Sequence, residues 1–131
     1  MAGTEGDEAA IGALLTAYQR AVREGDAAGF GRTFHQSALV SFPDSATGAL
    51  STMTAEEFAA DCVQLVADGT TVVETPRSTR IDVAGDVASA RVDFHLQIGD
   101  ESFAGTDFYS LARVGGRWVV TQKLYDMTPE A

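Results

Sequence analysis

Apolar side chains recur at steps of three and four near the start of the chain. Ile11, Leu14, Leu15, Tyr18, Ala21 and Val22 fall on one stripe between Asp7 and Arg23, the pattern of an amphipathic helix. Gly25 stops it, and Asp26 is placed to cap a second, shorter helix running through Phe30 to Phe34. The period then shortens to two. Ala38 to Phe42 reads as a short strand ended by Pro43, and Ala49 to Met53 admits another. Thr54 and Glu57 form a capping box opening a third helix, whose inner stripe is Phe58, Cys62, Leu65 and Val66 before Gly69 closes it. Four strands are expected after that: Val72 to Val83, Val87 to Ile98, Ser102 to Val114 and Arg117 to Met127. Their junctions carry turn residues, Ala84-Gly85-Asp86, Gly99-Asp100 and Gly115-Gly116.

Helices first and a meander of strands after predict an α+β fold, with three N-terminal helices packed on one face of a mostly antiparallel sheet. One domain is expected over residues 1–131, with a core from about 8 to 127 and frayed ends. Treating Gly99-Asp100 and Gly115-Gly116 as two-residue loops fixes a register. Val92 then faces Asp107, Ala90 faces Tyr109, Tyr109 faces Gln122, and Asp107 faces Leu124. One face gathers Val92, Phe94, Leu96, Asp107, Tyr109, Trp118, Val120, Gln122 and Leu124 and belongs beneath the helices. The other takes Arg91, Asp93, His95, Phe108, Thr121, Lys123 and Tyr125, a mixture suited to a half-buried interface. Lys123 there reads as a salt-bridge partner across a dimer. Asp107 stands out as a carboxylate on an apolar face, which requires a partner or a cavity.

Composition narrows the function classes. The chain has 131 residues and a formal net charge of −10, which disfavours phosphate backbones and anionic lipid surfaces, so no nucleic-acid or membrane partner is expected. Residues 1 to 8 lack the basic and apolar regions of a signal peptide, which points to the cytoplasm. A single cysteine, Cys62, excludes an intrachain disulfide, and with only two histidines no metal site is expected. No dinucleotide or phosphate-loop fingerprint occurs, so no cofactor is expected.

Val22-Arg23-Glu24-Gly25-Asp26, Phe34-His35, and a meander closing on Gly116-Arg117-Trp118-Val119-Val120 with Lys123 resemble the nuclear transport factor 2-like superfamily. The likeness is greatest to its bacterial SnoaL-like and lumazine-binding-like branch. The resemblance spans roughly residues 8 to 127 and implies a cone: a strongly curved sheet wrapped around a pocket, commonly in a homodimer joined through the outer sheet face. It says little about chemistry, because this fold hosts isomerases, dehydratases, cyclases, epoxide hydrolases and plain binders. Among relatives, ketosteroid isomerase has an oxyanion tyrosine eight residues before the aspartate of the Gly-Asp turn, matched by Tyr18 and Asp26. Asp107-Phe108-Tyr109 is similar to the setting of its protonated oxyanion aspartate. Its catalytic base, an aspartate before a proline, falls on Phe42, so that particular mechanism is not implied. Arg91-Val92-Asp93 has the spelling of the limonene epoxide hydrolase pair, yet sits on the face away from Asp107.

These residues define a candidate site. Tyr18 and Asp107, converging in an apolar pocket, can each donate a hydrogen bond to a carbonyl or enolate oxygen if burial keeps the Asp107 proton in place. The bland alternative is that they bond each other, or that Asp107 pairs with Gln122 or Tyr109 in an inert core. His35, after the second helix, is either a general base at the mouth or a helix cap. Phe42 and Phe58 are the aromatics expected to wall the cavity, with Val92, Tyr109 and Gln122 beside them. Cys62 is expected as a core thiol. The expected function is a small-molecule pocket, with acid-assisted isomerisation, cyclisation or dehydration of a hydrophobic, cyclic, oxygen-bearing substrate. The alternative is a non-catalytic dimeric binder of the same fold.

Overall fold

In the computed structural model, residues 2–130 are described, with side chains from residue 5 onward. Helix α1 spans Ala2–Glu24, α2 Ala27–Thr33 and α3 Ala55–Ala67. The strands are β1 Phe34–Asp44, β2 Ala49–Thr54, β3 Val72–Ala84, β4 Val87–Ile98, β5 Glu101–Val114 and β6 Arg117–Pro129. They form one six-stranded sheet in the order β2-β1-β6-β5-β4-β3, antiparallel throughout except for the β1–β6 pair. This is the expected α+β cone. Three helices cover the concave face of a curved sheet, and α1 lies chiefly against β3 and α2.

Local chemistry sets the boundaries. Asp26 caps α2 by accepting from the Ala28 N–H at 3.1 Å. Thr54 and Glu57 form the reciprocal capping box on α3, at 3.1 and 2.9 Å. Gly25 turns the chain at φ +65°, and an added Cβ would lie 2.8 Å from the Val66 side chain, so the α1–α2 turn is pressed against α3. Regular secondary structure runs closer to both ends than the predicted boundaries. α1 begins at Ala2, helped by Glu5 in its first turn. β6 reaches Pro129, paired with Phe103, and the Glu130 N–H then donates to the Ser102 carbonyl. β1 is also longer than the predicted Ala38–Phe42, because Phe34 already pairs with Val120 of β6.

The register between β4 and β5 is the expected one, with Val92 opposite Asp107 and Ala90 opposite Tyr109. Between β5 and β6 it holds only as far as Leu111 opposite Val120. There β6 carries one extra residue, Thr121, as a bulge, and Ser110 now faces Gln122, Tyr109 faces Lys123, and Asp107 faces Tyr125. Every β6 side chain beyond the bulge changes face. Lys123 is therefore buried under the helices rather than on the outer surface, while Gln122 and Leu124 are exposed outside. A second bulge, at Arg77 between Pro76 and Ser78, shifts β3 against β4 and leaves Glu74 opposite Leu96 on the inner face.

Candidate active site

The two bulges build the site. Lys123 from β6, Asp107 from β5, Glu74 from β3 and Tyr18 from α1 meet at the floor of a cavity of about 290 Å³. Asp107 is 0%, Lys123 3% and Glu74 8% exposed, so three ionisable groups have left water together. The Lys123 ammonium donates to the Tyr18 hydroxyl at 2.6 Å and lies 3.7 Å from Asp107 Oδ1, an ion pair too long for a hydrogen bond. Tyr109 donates to Asp107 Oδ2 at 3.0 Å. Rings of Tyr18, Phe58, Tyr109 and Tyr125 surround the ammonium, with centroids 4.8 to 5.8 Å from Nζ. Among the described residues, two buried side-chain oxygens have no hydrogen-bond partner: Asp107 Oδ1 and Glu74 Oε2. Both belong to residues lining the cavity.

The proton balance follows from this arrangement. Burial alone would push Lys123 down, but Asp107, Tyr18 and Glu74 outweigh it and hold the ammonium well above its ordinary range. One cation then faces two carboxyls, and the group is neutral when a single proton is retained between them. Burial raises Asp107, as expected from sequence, yet Lys123 and the Tyr109 hydroxyl oppose that rise. Glu74 has no such hydrogen bond and is pushed up by burial to about 7, against an ordinary 4.5. The retained proton thus belongs on Glu74, with Asp107 as the carboxylate paired to Lys123. Burial also raises the Tyr18 phenol far above its usual range, so it stays protonated. Glu74 is a carboxyl poised to give or take a proton near neutrality.

The cavity walls are apolar: Phe42, Met53, Phe58, Phe94, Leu96 and Tyr125 lie around the polar floor. Phe42 stacks on Tyr125 at 5.2 Å, and Phe58 packs edge-on to Phe30 and Phe34. Phe94 lies over Gly105, where an added Cβ would meet its ring at 2.6 Å and clash with the Asp126 carbonyl. Cys62 is half-buried on the wall rather than in the core, and burial pushes its thiol up to about 11.

The structure brings together only part of the set read from sequence. Tyr18, Asp107, Phe42 and Phe58 share the cavity. Tyr109 reaches it through Asp107, and Val92 stays in the core behind it. Gln122 is on the opposite face because of the bulge. His35 does not approach the cavity. It lines a separate open groove between α2, α3 and the start of β1, where its Nδ1 accepts from the Ser37 N–H at 3.1 Å. Arg91, Asp93 and His95 lie on the outer face, held by Ser78, Thr106 and Glu130. Sequence reasoning missed Lys123 and Glu74 as site residues. The signal available for Glu74 was a lone acid after Val72-Val73, in a strand start otherwise apolar. Among the described residues, no group of three or more His, Cys, Asp or Glu side chains converges to hold a metal ion. No helix among them is long and apolar enough to cross a membrane.

Residues 6–126 match the family described as "Putative lumazine-binding". The chain belongs to this family. Solved structures described as nuclear transport factor 2-like share its fold. A nuclear transport factor 2-like protein of unknown function from Shewanella baltica OS155 is 24% identical, with a TM-score of 0.76 over 97% of this chain and 98% of that one. A conserved protein from Planctomyces limnophilus DSM 3776 is 20% identical, with a TM-score of 0.80 over 96% and 99%. A type 2 hexachlorocyclohexane dehydrochlorinase is 18% identical, with a TM-score of 0.72 over 96% and 90%. No curated protein matches the chain. The match over residues 6–126 establishes the family, and the likeness to these structures establishes the fold.

Proposed function

We propose that this protein is an acid–base enzyme that isomerises, cyclises or dehydrates a small, hydrophobic, cyclic ketone. The observation that carries the reading is one buried ammonium between two carboxyls, two of whose oxygens are unpartnered at the floor of an apolar cavity. Tyr18 and Lys123 supply donors for the substrate oxygen where negative charge develops in an enol-like transition state. Glu74 carries the proton, in the place where sequence reasoning had put His35. The apolar walls strengthen these interactions by excluding water. A protein of the same fold is named as a hexachlorocyclohexane dehydrochlorinase, so the fold accommodates an enzyme that acts on a six-membered ring.

The test is hydrogen–deuterium exchange at the α-carbon of 1-indanone in D₂O, followed by NMR. Wild type should accelerate exchange, with a rate that rises as Glu74 loses its proton near pH 7 and then levels. Glu74→Gln should lose on the order of 10²-fold or more, the usual worth of a positioned acid–base group. Exchange no faster than in buffer would overturn the reading.

A second reading is a non-catalytic binder. It is favoured by the hydrogen bond between Lys123 and Tyr18, which already satisfies part of the site within the protein. Binding of the ketone without exchange would establish it. In either case we propose a homodimer through the outer sheet face, where Leu39, Phe108 and Leu124 are about half exposed side by side.

A further inference from the structure

The two orphaned oxygens constrain what the ligand must bring. Asp107 Oδ1 is fully buried, and leaving a buried carboxylate oxygen without a donor is costly. The Lys123 ammonium does not satisfy it: it donates to the Tyr18 hydroxyl, sits among four rings and lies 3.7 Å from Oδ1. A plain ketone on Tyr18 and Lys123 would leave Oδ1 as it is. A ligand ammonium would place a second cation beside the first. A ligand carboxylate would face both Asp107 and Glu74. What remains is a neutral donor, O–H or N–H, on a ligand whose carbonyl is held a few ångströms away, and the hydroxyl is the one in keeping with an oxygen-bearing substrate.

We propose that the ligand is a cyclic hydroxyketone, its carbonyl oxygen taken by Tyr18 and Lys123 and its hydroxyl, one or two carbons from the carbonyl, donating to Asp107 Oδ1. The proposal rests on the ketone-binding part of the function argued above and adds a second anchoring point to it. The 290 Å³ cavity and its aromatic walls suit a flat ring system of modest size. Asp107 becomes the residue that distinguishes a hydroxyketone from the corresponding ketone, while Glu74 is left free for proton transfer. Selectivity of this kind is strong when a buried polar group is otherwise left unpaired.

The test uses four matched probes on the full chain by isothermal titration calorimetry: 1-indanone, 1-indanol, 2-hydroxy-1-indanone and 3-hydroxy-1-indanone. At least one hydroxyketone should bind about tenfold tighter than both the ketone and the alcohol, the worth of one hydrogen bond to a charged acceptor. Which of the two gains more fixes the spacing. Asp107→Asn should abolish that advantage. Tyr109 donates to Oδ2, so the amide oxygen takes that place and the NH₂ replaces the acceptor with a donor. Equal affinity for ketone and hydroxyketone, no binding by any probe, or an advantage that survives Asp107→Asn overturns the inference. If Asp107→Asn does not fold, the wild-type series decides alone. The exchange experiment separates the two claims. Exchange on 1-indanone without hydroxyl selectivity keeps the acid–base reading and discards this one, and selectivity without exchange does the reverse.

Discussion

The inner face of the sheet has two ends that share strands and helices but little chemistry. At one end Ile11 and Leu15 of α1 pack on Leu111 and Val120, all at most 2% exposed. Arg113 and the Trp118 indole N–H close that end by donating to Asp7 at 2.6 and 3.3 Å. At the other end Tyr18, on the next turns of the same helix, looks onto Glu74, Asp107 and Lys123. The division on β6 falls at the Thr121 bulge, and on β3 at Arg77. Below the bulges regular alternation gives an apolar core. Beyond them the displaced register brings in charges, and with them a group of polar oxygens that the protein itself does not satisfy. One end buries apolar surface, and the other buries charge and polar oxygens at a cost.

The sharpest way to break this contrast is to remove the cation. Lys123→Met keeps most of the volume but strands Asp107 without its countercharge, and should cost about 3–5 kcal/mol in urea unfolding at pH 7. Adding Asp107→Asn should recover more than half of that loss, because the uncompensated charge goes with it. A rise in stability from Lys123→Met alone would mean that the pair contributes nothing. At the apolar end Leu111→Ala should cost about 3 kcal/mol through lost burial and the cavity left behind. It should leave the pH dependence of stability as it was, whereas changes at the charged end should not.

Glu74 makes that last point quantitative. Its ordinary value of 4.5 is raised to about 7 in the fold, so folding takes up a proton in between. The contribution is fully present below about 4.5, is lost as pH rises toward 7, and is flat above. Glu74→Gln should therefore unfold at a higher temperature than wild type at pH 8, by up to about 3 kcal/mol of stability. It should also flatten the decline between pH 4.5 and 7. A variant that keeps the wild-type profile would place the titration elsewhere. The smallest effect concerns the cover of the charged end. Thr54→Ala removes the cap of α3, the helix that supplies Phe58, Cys62 and Leu65 to the cavity, and should cost about 1 kcal/mol while leaving the Glu74-dependent decline between pH 4.5 and 7 in place.

The same boundary separates what the sequence disclosed from what it hid. Helix stripes, caps and glycine turns were legible because each is a local signal, and Val92 opposite Asp107 followed from one tight turn. Asp107 was conspicuous as an acid in an apolar alternation. Lys123 and Gln122 were assigned to each other's faces because a bulge is a tertiary event. Nothing in Val119-Val120-Thr121-Gln122 marks the extra residue, and the turn at Gly115-Gly116 predicts the register only as far as the bulge. Glu74 was hidden for the same reason on β3, where a two-residue turn at Gly85-Asp86 would have carried the regular register past Arg77 and turned the acid outward. His35 was favoured by its residue type and its place after a helix, but the cavity opens on the other side of Phe34 and Phe58.

The Thr121 bulge has a genetic corollary. Most coding changes in a strand exchange one side chain and leave its neighbours where they are. Loss of the single codon for Thr121 would do the same: it closes the bulge and restores regular alternation, with Gln122 still opposite Ser110, Lys123 opposite Tyr109 and Tyr125 opposite Asp107. A lineage of this fold can therefore shed or regain one codon at this point and keep its buried ammonium, whereas the same indel in a regular stretch of strand would turn every later side chain to the other face.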